Sequence, residues 1–76
     1  MVELNRAAAV AMSEGPERGL ELIAAIDGLD DYQPLHAARA DLLRRLGRDA
    51  ESAAAYARAL ELSENPIERR YIEARL

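Results

Sequence analysis

Gly15 and Gly47 stand 32 residues apart, and each closes one amphipathic helical pattern just before another begins. A chain punctuated this way folds into helical hairpins, because a glycine after the last periodic residue supplies the backbone freedom that ends a helix. Only the pattern is duplicated. At that offset the identical pairs are few, Ala8 with Ala40, Gly15 with Gly47 and Ala25 with Ala57 among them. Alanine, leucine, arginine and glutamate dominate the chain, whereas valine is scarce and threonine absent. Those are strong helix formers, and valine and threonine, which favour strands, are nearly missing, so an all-α fold is expected.

Helix signals divide the chain into five segments. The first runs from about Val2 to Ser13, with Leu4, Ala7, Ala8 and Ala11 on one face and Gly15 as a left-handed stop. The second starts at Pro16, a residue suited to the first helical position, and continues to about Asp27 before Gly28. Its apolar positions are Leu20, Ile23 and Ala24, with Leu22 and Ile26 on a neighbouring stripe. Asp30 or Asp31 caps the third, in which Pro34 is tolerated in the first turn, and which reaches Leu46 before Gly47. Asp49 caps the fourth, which carries Ala53, Tyr56, Ala59, Leu60 and Leu62 inward. Asn65, Pro66 and Glu68 open the fifth as a capping box, and Ile67, Tyr71 and Ile72 give it an apolar side.

At 76 residues the chain is one small domain with no cysteine, so neither disulfides nor thiolate metal sites reinforce its core. No apolar run approaches the roughly 20 residues of a membrane span, and Glu3 and Arg6 interrupt any signal-peptide core. A soluble, cytoplasmic protein is the expectation. Fourteen acids outnumber ten bases, all of them arginine, for a net charge of -4. That balance argues against general nucleic-acid binding, which draws its affinity from neutralised phosphates. Absence of lysine and abundance of alanine and arginine suggest coding DNA rich in G and C.

The second unit fits the tetratricopeptide pattern. His36, Arg39, Ala40 and Leu43 occupy the first-helix slots, Gly47 sits at the turn, and Ser52, Tyr56 and Ala59 fill the second-helix slots, with ALEL at Ala59 to Leu62 as the repeat end. Pro66 comes two positions late, and the second helix of the first unit, with Leu20 and Ala24, fits less well. Three long segments, ELNRAAAVAMSEGPERGLELIAAIDGLDDY, LHAARADLLRRLGRDAESAAAYARALEL and ENPIERRYIEARL, cover nearly the whole chain. Together they resemble the C-terminal tetratricopeptide-like extension of a subgroup of bacterial extracytoplasmic-function sigma factors. The resemblance implies a right-handed α-α superhelix within a single domain of residues 1–76. Its parts are a hairpin over about 2–28, a second over about 31–62 and a capping helix over about 66–76. It also implies a protein-binding role toward the sigma regions or RNA polymerase that regulates transcription initiation, with no promoter recognition by this segment.

In such a hairpin one side of the first helix lines the groove where partner segments lie. Asp41, Arg44, Arg45 and Arg48 fall on one stripe by their spacing, and Asn5 and Arg6 hold the corresponding part of the first helix. An arginine fork there would take an acidic side chain or terminal carboxylate, and an asparagine would bridge a peptide backbone. The structural alternative is a solvated set of charges, with Asp41 placed favourably for Arg44 and Arg45 and the cations favourable at a helix end. Arg39 interrupts the face of Leu35, Ala38, Leu42 and Leu46, and is expected in an ion pair between hairpins, with Asp27, Asp30, Asp31 or Glu3 as partner, or else in a contact role. His36, the lone histidine, is expected to pack in its slot, since no cysteine or second histidine completes a nucleophilic pair. No phosphate loop, HExxH spacing or calcium loop occurs, so neither an enzyme nor a cofactor is expected. A second reading is a stand-alone structural or self-association module, dimerising through the outer face of the first helix near Leu4, Val10 and Met12.

Overall fold

The computed structural model describes residues 2–76, which form five helices and, among the described residues, no strand. These are α1 (Val2–Glu14), α2 (Pro16–Ala24), α3 (Gln33–Arg45), α4 (Asp49–Leu62) and α5 (Pro66–Arg75). None of them is long and apolar enough to cross a membrane. Helix α1 pairs with α2 and α3 with α4, α2 packs on α3, and α5 lies against α4.

Both expected turns form, by different means. Gly47 has φ +76°, the amide of Arg48 donates to the Leu43 carbonyl at 3.0 Å, and that of Gly47 donates to the Arg44 carbonyl at 3.0 Å. This pair of bonds is a Schellman motif, which satisfies carbonyls left free at the end of α3. Gly15 is not the left-handed stop expected of it. Its φ of +103° and ψ of +158° lie in a region essentially reserved for glycine, which lets α2 start one residue after α1 ends.

Helix starts differ more from expectation. Helix α2 stops at Ala24 instead of running to Asp27, because its last turn tightens: Ala25 and Ile26 donate to the carbonyls of Leu22 and Ile23 at 3.2 and 3.1 Å. The following loop turns Ile26, Leu29 and Tyr32 back onto the core. Neither Asp30 nor Asp31 caps α3, which has Tyr32 at its N-cap and no side-chain cap bond. Asp31 is engaged elsewhere, as described below. Asp49 is the first residue of α4, after Arg48, and so complements the helix dipole from the first turn instead of capping. Asn65 does cap α5, its Oδ1 accepting from the Ile67 amide at 2.8 Å; no reciprocal bond from Glu68 completes the box.

Two apolar clusters meet at α3. Leu35 and Leu42 pack with Leu4, Ala7, Ala11 and Ile23, while Ala40 and Leu43 pack with Ala55, Tyr56, Ala59 and Ile72. Leu20 touches both clusters. Four alanine and leucine assignments shift. Ala8 and Ala53 are exposed, and Leu60 and Leu62 only half-buried, since Ser52, Ala55, Tyr56 and Ala59 keep the three-and-four spacing of the inner face and Ala53 is off it. On α5 the predicted apolar side splits, with Ile72 buried but Ile67 76% and Tyr71 54% exposed.

Each hairpin closes on a pair of small residues. A Cβ on Gly19 would meet the Ala11 Cβ at 2.6 Å and the Ala7 carbonyl oxygen at 3.1 Å, so α1 and α2 touch nearly backbone to backbone. Thirty-three residues on, Ser52 stands in the same relation to Ala40, its Oγ donating to the Ala40 carbonyl at 2.8 Å from a buried position. The structural repeat is therefore 33 residues at the contacts against 32 at the glycines, because Gly47 follows Ala40 one position sooner than Gly15 follows Ala7.

Replacing Gly19 with alanine should destabilise the fold although alanine is the better helix former. Overpacking costs about 1–3 kcal/mol and propensity returns only about 1. Ser52→Ala should cost about 1 kcal/mol through its lost buried bond. Thermal melts read both, since 1 kcal/mol moves the midpoint of a domain this size by about 4–8 °C.

Candidate protein-binding groove

A shallow cleft runs between α1 and α3. Ala8, Ala11 and Met12 form one wall, Ala38, Asp41, Leu42 and Arg45 the other, and Ile23 lies beneath them. Its volume is about 140 Å³. Met12, 84% exposed, is the largest apolar side chain on its lip. Helical spacing explains the composition: Ala8 and Met12 are one turn apart on α1, as are Asp41 and Arg45 on α3. An apolar floor with a polar rim on one side suits an amphipathic segment.

Asp41 organises the charges. Its Oδ1 accepts a hydrogen bond from Arg44 Nη2 at 3.0 Å, and its Oδ2 forms an ion pair with Arg45 Nη2, also at 3.0 Å. The hydrogen bond to Asp41 holds the Arg44 guanidinium above its ordinary range. The nearby Tyr56 hydroxyl adds to the effect without a hydrogen bond of acceptable geometry. That hydroxyl is fully buried and has no hydrogen-bond partner among the described residues. Arg44 and Arg45 are therefore already neutralised in part by one carboxylate, and the two-arginine fork is not an open anion site.

Of the six residues expected on one groove stripe, the fold brings Asp41 and Arg45 into this cleft, with Arg44 joined to Asp41 at its edge. Arg48 is not with them. It lies past Gly47, where the chain has reversed, so its spacing from Asp41 no longer returns to the same helix face. Arg48 instead lines a cleft with Glu17, Leu20, Glu21, Ala24, Arg39, Leu43 and Glu51, and stands 3.9 Å from Glu51. Arg6, two residues from Ala8 and so nearly opposite it on α1, lines a third cleft with Glu3, Leu22, Ala25, Ile26, Asp27 and Leu29. Asn5 is exposed and lines none of the three.

The ion pair expected between the hairpins at Arg39 does not form among the described residues, and the pair that spans the most sequence belongs to Arg58, within the second unit. Arg58 of α4 donates to Asp31 Oδ1 at 2.8 Å and to Glu61 Oε2 at 3.0 Å, joining α4 to the loop before α3. No carboxylate among the described residues lies within ion-pair distance of Arg39, which is half-buried in the open cleft it shares with Arg48. A long side chain can cover apolar surface there and keep its charge in water. His36 fills no aromatic role. Its Nε2 lies 2.7 Å from the Asp30 carbonyl oxygen, a bond that pins the same loop to α3. Gly19 was the other structural residue outside the sequence reading, although a glycine inside a helical pattern is itself a sign of close backbone approach.

No protein-family model matches the chain, and no solved structure does. A curated protein of Rhizobium meliloti (strain 1021), described as uncharacterized, is 40% identical over 77 residues. The match takes in all of this chain, which spans 18% of that protein's length.

Asp41→Asn should release both arginines. Because both guanidiniums reach into solvent, the expected loss of stability is small, and it should shrink in high salt; paired urea titrations at low and high salt measure it.

Proposed function

We propose that this chain is a tetratricopeptide-like protein-binding module that takes an amphipathic partner segment in the α1–α3 cleft. The observation that carries the proposal is the duplicated close contact, Ala7 with Gly19 and Ala40 with Ser52, in successive hairpins whose first helices flank an open cleft. The 33-residue offset is near the roughly 34-residue period of tetratricopeptide units. Of the residues assigned to helix slots of the repeat, Ala40, Leu43, Ser52, Tyr56 and Ala59 are buried, which supports the reading, while His36 and Arg39 are half-buried. Stacking of hairpins through α2 and α3, with α5 over α4, supports a hairpin stack with a terminal covering helix, whose right hand is what the resemblance implies.

The resemblance of the three long segments to the extension of extracytoplasmic-function sigma factors supplies the context. In that reading the cleft holds a linker or loop of the sigma regions, or a segment of RNA polymerase, and so regulates transcription initiation in the cytoplasm of a bacterium. DNA is a poorer partner for a chain of net charge -4 whose groove arginines share a carboxylate.

The complete factor carrying Arg44→Glu with Arg45→Glu should lose promoter-dependent transcription several-fold, and Met12→Glu, which alters the lip of the cleft without touching the core, should do the same. Transcription at the level of the unaltered factor from both variants, with helicity preserved, would remove the groove from the mechanism.

A further inference from the structure

Two apolar faces remain open at opposite ends of the helix stack. At one end, Leu22, Ala25, Ile26 and Leu29 floor a cleft of about 560 Å³ between α1 and α2, rimmed by Glu3, Arg6 and Asp27. Glu3 and Arg6 lie on the side of α1 away from the α3 groove, so this cleft faces outward from the first hairpin. At the other end, α5 buries Ile72 against α4 and presents Ile67, Tyr71 and Ala74, a four-and-three spacing that makes one stripe. Ile67 is 76% exposed and Tyr71 54%, which is high for large apolar side chains on one short helix.

We infer that these faces are complementary and that the chain associates head to tail, the α5 stripe of one copy entering the α1–α2 cleft of the next. Charge and chemistry both choose this occupant. Arg70 and Arg75 flank the α5 stripe, whereas two of the three charged residues on the cleft rim, Glu3 and Asp27, are acidic; Glu68 of α5 matches the third, Arg6. Arg75 also stacks on Tyr71, its guanidinium carbon 4.8 Å from the ring centroid and Nη2 donating to the Tyr71 hydroxyl at 2.9 Å. An ordered tyrosine-arginine pair beside an isoleucine is the composition of an interface anchor. The cleft is mostly apolar and of a size that takes such side chains. Pairing unlike faces makes the contact heterologous, so the assembly grows open-ended instead of stopping at a symmetric dimer. The α1 face expected from sequence is unsuited to that role, because Leu4 is buried and Val10 half-buried, leaving Met12 alone exposed.

Complementation between two exposed-site variants tests this directly. In sedimentation equilibrium the unaltered chain should show an average mass that rises with concentration. Ile67→Glu, which blocks the tail, and Ala25→Arg, which blocks the head, should each be monomeric with unaltered circular dichroism. An equimolar mixture should form a one-to-one dimer, since one variant keeps its head and the other its tail. Tyr71→Ser serves as a second tail variant if Ile67→Glu alters helicity. The inference is overturned by an unaltered chain that stays monomeric to millimolar concentration, by association that survives Ala25→Arg, or by variants that do not pair when mixed.

Discussion

Everything else in this fold depends on how closely the helices of each hairpin approach. Without a side chain on Gly19, α2 settles against the Ala7 carbonyl and the Ala11 methyl; with only a hydroxymethyl on Ser52, α4 reaches the Ala40 carbonyl and bonds to it. Close approach lets short, alanine-rich helices bury enough surface to hold together in a chain with neither phenylalanine nor tryptophan. It also sets the direction of the remaining faces. Once α1 is fixed on α2, Ala8 and Met12 must face α3 and Glu3 and Arg6 must face outward.

Helix α3 carries the consequence. It supplies Leu35 and Leu42 to one cluster and Ala40 and Leu43 to the other, which leaves little of its circumference for charge. Asp41, Arg44 and Arg45 occupy what remains, and Arg39 sits over the seam between the clusters, in reach of solvent through an open cleft. The arginine-rich end of α3 is thus mainly a helix terminus whose cations suit the dipole and share a carboxylate. In the proposed binding mode its contribution would be the rim it gives an otherwise apolar groove.

Much of the fold was legible along the chain, and the reason is local. Helix-forming composition, the stops at Gly15 and Gly47, proline in the first turn of α2, α3 and α5 and the asparagine cap of α5 act within a few residues of themselves. The caps assigned to Asp30, Asp31 and Asp49 failed on competition. Asp31 is drawn to Arg58, 27 residues away, Asp30 lies two residues before the N-cap residue Tyr32, and Asp49 enters the helix it was to cap. Of the groove, the wall formed by Asp41 and Arg45 could be read from spacing within α3. Arg48 could not, because the spacing rule ends where Gly47 turns the chain.

By itself the sequence determined five helices, their order and the positions of the reversals. Those follow from backbone propensity and from a period of 3.6 residues, both local properties. Only the tertiary structure decided that Arg58 and not Arg39 pairs with Asp31, that Met12 lines a groove and Leu4 the core, and that Ile67 and Tyr71 stay uncovered. Each of these depends on how one helix is rotated against another, and that rotation is set by contacts between residues far apart in the chain, such as Gly19 with Leu42.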